Sequence, residues 1–167
     1  RASKVGGIAS PNATHATHAI EHNQSECSVY DAVLAFQKRF CDDVAEWRKR
    51  QTIRAKRKRH ARPGEWLQLY FGMRTKHCRK LVNDPICTGV TPIMIWVPLD
   101  DVPCRYAVPD QSLPLKWRWQ VVDDAFAHSD GFEDERDFRT FWKDAHGEGV
   151  FEGVLITWMP SPIRPRQ

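Results

Sequence analysis

Every apolar stretch in this chain is short, and the stretches are punctuated by glycine and proline. Trp66-Leu67-Gln68-Leu69-Tyr70-Phe71 lies between Pro63-Gly64 and Gly72, Ile93 to Val97 lies between Pro92 and Pro98, and Phe151 to Trp158 follows Gly147 and Gly149. Leu115 to Val122 alternates, with Leu115, Trp117, Trp119 and Val121 on one face and Lys116, Arg118 and Gln120 on the other. Aromatic and branched side chains in such runs specify strands, because they pack well on a pleated surface and each turn ends the run before a helix can propagate. Arg105 to Val108 adds a further short strand.

Two segments carry the helical period instead. Phe138, Phe141, Trp142 and Ala145 form one stripe after an acidic first turn at Glu133, Asp134 and Glu135, as the helix dipole prefers. Val29, Val33, Phe36, Phe40, Val44 and Trp47 also recur every three or four residues, behind a capping-box-like Ser28 and Asp31, and predict a helix over 29–50. The basic stretch that follows extends it to Pro63-Gly64. The expected fold class is therefore α+β: a small, barrel-like, largely antiparallel sheet with flanking helices and an N-terminal helical extension.

Domain organisation follows. Residues 1–27, with an Ala-Thr-His repeat and few large apolar side chains, read as a mobile tail; residues 28–62 as the amphipathic, then basic helix; 63–159 as the barrel domain; 160–167 as a proline-punctuated tail. A chain of 167 residues buries roughly 70% of its unfolded surface, enough for a core without disulfide staples. No run approaches the ~18 apolar residues of a membrane span, so no membrane partner is expected. Five cysteines without a C-x-x-C pair read as reduced thiols in a cytoplasm. His15, His18 and His22 in the tail, and His77, Cys78, Cys87 and Cys104 in the body, match no metal signature, and neither a metal nor another cofactor is expected.

Charge is distributed unevenly. Arg48, Lys49, Arg50, Arg54, Lys56, Arg57, Lys58, Arg59 and Arg62 fall within fifteen residues that hold no acid, which leaves 16 of the 25 basic side chains against all 21 acidic ones elsewhere. Such a run is a candidate phosphate-backbone contact, because each neutralised phosphate releases counterions. A second cationic cluster follows the Trp66–Phe71 strand at the Gly72 turn: Arg74, Lys76, His77, Arg79 and Lys80, with the hydroxyl of Thr75 among them. Glycine at a turn lets a ligand approach the backbone closely.

Gly72-Met73-Arg74-Thr75-Lys76-His77-Cys78-Arg79 resembles the Gly-x-Lys-Thr-x-x-x-Arg signature of ASCH domains, members of the PUA-like superfamily. Asp130-Gly131-Phe132, the helix through Phe138 and Trp142, and Phe151 to Trp158 look like that family's C-terminal helix and last strand, so the resemblance covers about residues 65–158. It implies a barrel whose cleft receives RNA or a modified nucleobase or nucleoside. Some relatives hydrolyse N4-acetylcytidine with a lysine in the signature, a threonine three residues later and a glutamate before the C-terminal helix. In this register those positions hold Arg74, His77 and Asp130. A guanidinium keeps its proton and is a poor base, so Thr75, Lys76 and Asp130 stand as the catalytic candidates and Gly72, Arg74, His77 and Arg79 as ligand-binding ones. The leading expectation is an RNA- or nucleotide-binding domain, with RNA favoured over DNA. The alternatives are a hydrolase of a modified nucleoside or of RNA, and a structural protein that docks a partner on its N-terminal helix.

Overall fold

The structure is a computed structural model that describes residues 32–112 and 116–161. The 1–27 tail, with its histidine repeat, lies outside the described residues. In chain order the elements are β1 (Ala32–Phe36), a 3-10 turn (Lys38–Phe40) running into α1 (Cys41–Ala45), β2 (Gln51–Ala55), β3 (Leu67–Phe71), β4 (Arg79–Lys80), β5 (Ile86–Val97), β6 (Arg105–Pro109), β7 (Trp117–Val121), α2 (Asp124–Ser129), α3 (Glu135–His146) and β8 (Gly149–Met159).

The expected α+β class holds, but the strands form two sheets and no closed barrel among the described residues. One sheet has the order β1-β3-β4 and the other β2-β8-β5-β6-β7. All pairings are antiparallel except β1 with β3. A single bridge between Trp66 and Ile86 joins the sheets, reinforced by Leu67 N–H donating to the Pro85 carbonyl at 2.8 Å and Cys87 N–H to the Glu65 carbonyl at 2.9 Å. Pro92, which has no N–H to give, falls on β5 just before β6 begins to pair at Met94. Gly153 is required where β8 meets β2, since a Cβ there would lie 2.5 Å from the Arg54 carbonyl oxygen.

The strand and C-terminal helix expectations hold, and the structure lengthens the central strand to Ile86. Among the described residues 32–50, the helix expected over 29–50 is not formed. Leu34 and Phe36 instead alternate inward from β1, which pairs with β3 over its whole length, and Phe40 and Val44 are buried by one short helical turn. Trp47 then takes a left-handed backbone, φ 62, which ends any helix. The three- and four-residue spacing was met by a strand plus a turn, because pairing with β3 outweighs a weak local preference. The basic run does not continue a helix either: its stretch Gln51–Ala55 is β2, paired with β8.

α3 follows its stripe except at Ala145, which is exposed. The Asp134 side chain caps its first turn by accepting from the Asp137 N–H, and Phe138 and Trp142 are buried. Phe132 packs edge-on to Phe138 and Phe40, and these rings close one end of the core. Full burial of a ring the size of Phe138 contributes about 3 kcal/mol. β7 forms where the alternation places it, but as an edge strand it buries neither face: Trp117, Trp119 and Val121 are exposed, and Gln120, bonded to the Tyr106 hydroxyl, is the least exposed.

Candidate active site between strands β1 and β2

Lys49 is the most unexpected residue of the chain: a lysine from the start of a solvated-looking basic run that is only 2% exposed. The backbone around it is pinned. Lys49 N–H donates to the Asp43 carbonyl, Arg50 N–H to the Ser129 carbonyl, and the Arg50 carbonyl accepts from Trp158 N–H. The left-handed turn at Trp47 sends the side chain inward instead of along the helix axis. Its ammonium donates to Asp130 Oδ1 at 2.6 Å and to the Asp130 carbonyl, and lies 4.7 Å from the centre of the Phe40 ring.

Asp130 caps the C-terminal end of α2 and is 4% exposed. Gly131 follows with φ 82, and a Cβ there would stand 2.8 Å from Lys49 Cδ, so glycine both makes the turn and leaves room for the lysine stem. Burial pulls the Lys49 pKa down, and the nearby Arg54 charge acts in the same direction, while attraction to Asp130 opposes both without cancelling them. Burial likewise pushes the Asp130 carboxyl up against the opposing pull of Lys49. Both partners are thus biased toward their uncharged forms, as desolvation demands.

Thr52, three residues after Lys49 on β2, is buried and lines the same cavity as Lys49 and Asp130. That cavity has a volume of about 270 Å³ and opens between β1 and β2. Phe36, Phe132, Phe141, Trp142 and Phe151 make its walls apolar, and Arg54 and Arg57 stand on the β2 side. Arg54 spans the gap between the two sheets: its Nη2 donates to the Ala35 carbonyl at 2.8 Å, and its guanidinium lies 5.0 Å from the Phe36 ring centre. Two donors in this cavity are buried without a hydrogen-bond partner among the described residues, Trp142 Nε1 and Arg54 Nε.

The sequence-based site divides. Asp130 is in the cavity, but Arg74, Thr75, Lys76, His77 and Arg79 do not line it. The Gly72 turn is self-contained: the Thr75 hydroxyl donates to the Gly72 carbonyl at 2.6 Å and accepts from the His77 N–H at 3.1 Å. Arg74, Lys76 and His77 are exposed, and Arg79 lies 5.7 Å from the Phe71 ring centre. Gly72 and Arg74 both have positive φ, which a tight surface turn requires. Lys49 and Thr52 were missed as a pair; the spacing Lys-x-x-Thr beside a later acid was legible, but the density of positive charge around it suggested a solvated face.

The basic run also finds acids from outside itself. Arg48 pairs with Asp43 and Glu46, Lys49 with Asp130, Lys56 with Glu152, and Arg59 with Glu65. Arg50 donates to the Trp47 carbonyl. The phosphate-contact expectation for the whole run therefore narrows to its members on the cavity side. No group of three or more metal-ligating side chains occurs among the described residues, and Cys41, Cys78, Cys87 and Cys104 are free thiols. No helix among the described residues is long and apolar enough to cross a membrane. No family model, no curated protein and no solved structure matches the chain.

Proposed function

We propose that this is a PUA-like domain of the ASCH kind whose cavity binds a nucleobase bearing an acyl amide and hydrolyses that amide. The observation that carries the reading is the meeting of Lys49, Thr52 and Asp130 in one cavity. The signature then sits on Trp47-Arg48-Lys49-Arg50-Gln51-Thr52-Ile53-Arg54 instead of on the Gly72 turn. Lys49 and Arg54 occupy its lysine and arginine positions, and Trp47 stands at the glycine position with φ 62. Arg50 departs from the signature threonine, and Asp130 stands for the family's glutamate. The barrel half of the proposal is supported by two sheets joined at Trp66–Ile86 on one side and drawn together by Arg54 and Ala35 on the other.

The chemistry follows from the donor set. Burial favours a Lys49 amine that gives up its proton, and such an amine takes the proton of the Thr52 hydroxyl as its oxygen attacks the acyl carbon. The same proton passes to the leaving exocyclic amine, and the acyl group rests on Thr52 as an ester. Water, deprotonated by Lys49, then releases the acid and restores Thr52. Asp130 holds the amine in place through both steps and stabilises its charged form. The test is incubation with N4-acetylcytidine, followed by chromatography for cytidine. Turnover is expected in the native chain, with Thr52→Ser active and Thr52→Val inactive while folded; a folded native chain that releases no cytidine removes the hydrolase reading.

A second reading, nucleotide or RNA binding without turnover, is favoured by Arg54 and Arg57 on the wall of the same cavity. It predicts saturable binding of cytidine with no product, and equal affinity in Thr52→Val.

A further inference from the structure

A second cavity, of about 210 Å³, adjoins the first along the same gap and shares Arg54 and Arg57 with it. Arg59 and His60 complete its polar lining, and no acidic residue lines it. The acid of the first cavity, Asp130, is already held by Lys49. Arg54 keeps a buried Nε with no partner among the described residues. The backbone N–H of Arg57 donates to His60 Nε2 at 2.9 Å, which folds residues 57–60 into a turn and leaves the imidazole to donate through its other nitrogen. Two strands lie open here: β1 and β2 are edges of their sheets, so nothing in the ladder fills the groove between them.

Arg59 is held by Glu65, so Arg54 and Arg57, in a groove that no acid lines, are the guanidinium groups that complement a phosphate, whose oxygens match their paired donors. We infer that this second cavity binds the phosphate of a nucleotide whose base lies in the first, so that the ligand class is a phosphorylated nucleoside, free or within an RNA strand. The inference rests on the nucleobase reading of the first cavity. Arg54 and Arg57 are then shared between base and phosphate and set the distance between them. Lys56, one residue before, is turned to Glu152 and takes no part.

The experiment is calorimetric titration of the full chain and of Arg57→Gln with cytidine, its 5′- and 3′-monophosphates, the dinucleotide CpC and ribose 5-phosphate. Arg57 is exposed and its hydrogen bond to His60 runs through the backbone, so the variant keeps its fold, checked by an unchanged melting curve. At least one monophosphate is expected to bind about tenfold more tightly than cytidine in the native chain, and in Arg57→Gln that ratio falls to about one, whatever the change in cytidine affinity itself. Equal affinity for cytidine and its phosphates, or a gain that survives Arg57→Gln, overturns the inference. A further tightening with CpC assigns the phosphate to a strand, and its absence assigns it to a free nucleotide. Ribose 5-phosphate binding that depends on Arg57, in a chain that ignores cytidine, keeps the phosphate site and discards the nucleobase reading.

Discussion

Replacing Asp130 by asparagine tests the Lys49 arrangement at its centre. The substitution keeps the shape and the backbone carbonyl contact but removes the carboxylate bonded to an ammonium whose residue is 2% exposed. Breaking a buried pair on one side costs about 3–5 kcal/mol. The loss has a ceiling, because Lys49 can escape by shedding its proton. At pH 7 that costs about 1.36 kcal/mol for each unit below the ordinary lysine value near 10.4, or about 4.6 kcal/mol. A loss of about 3–4.5 kcal/mol is therefore expected, a large part of a typical domain's stability.

The pH dependence has a definite sign. The folded Lys49 pKa is lowered by burial, so the unfolded chain binds the extra proton between the folded value and the ordinary lysine value, and stability rises with pH across that window. Without Asp130 the folded value falls further and the window opens lower, so the deficit of Asp130→Asn against the native chain narrows as pH climbs from the variant's folded value to the native one and is constant above it. Urea unfolding at several pH values reads both effects. A double variant with Lys49→Met should recover most of the loss. A single-variant loss under about 0.5 kcal/mol at pH 7, or a deficit that widens with pH, would refute the buried-pair account.

Gly131→Ala brings a Cβ to 2.8 Å from Lys49 Cδ at a φ of 82, and is expected to lower stability by about 1–2 kcal/mol and to reduce turnover of N4-acetylcytidine, by denaturation and chromatography. Gly153→Ala places a Cβ 2.5 Å from the Arg54 carbonyl oxygen, which cannot move without breaking the β2–β8 ladder; a loss of about 3 kcal/mol or more, with faster amide exchange along β2, is the expected outcome. Thr75→Ala removes the two hydrogen bonds that its hydroxyl makes inside the Gly72 turn, so the melting curve should record about 1 kcal/mol while turnover and ligand affinity stay unchanged.

Much of the fold was legible where local pattern and tertiary role agree. The Trp66–Phe71 run, Arg105 to Val108, the alternation through Trp117 and Trp119, the Phe138 and Trp142 stripe and the final strand each became the element they predict. Residues 29–50 were not, because Phe36, Phe40 and Val44 satisfy a helical period while a partner strand more than thirty positions away decides the outcome. The site followed the same divide. Asp130 before α3 was readable from its turn, whereas Thr75 and Lys76 drew attention by clustering, a property that a self-bonded surface turn shares with a binding loop.

From its residues alone the chain dictates short strands, a capped C-terminal helix and a segregated block of positive charge, since these depend on neighbours within a few positions. Which of those charges leaves water is a different matter. Lys49 is interior because Trp47 turns the backbone, Gly131 vacates space and Asp130 arrives from 81 residues away to meet it. Burial and pairing are properties of what surrounds a side chain, and only the assembled fold brings those surroundings together.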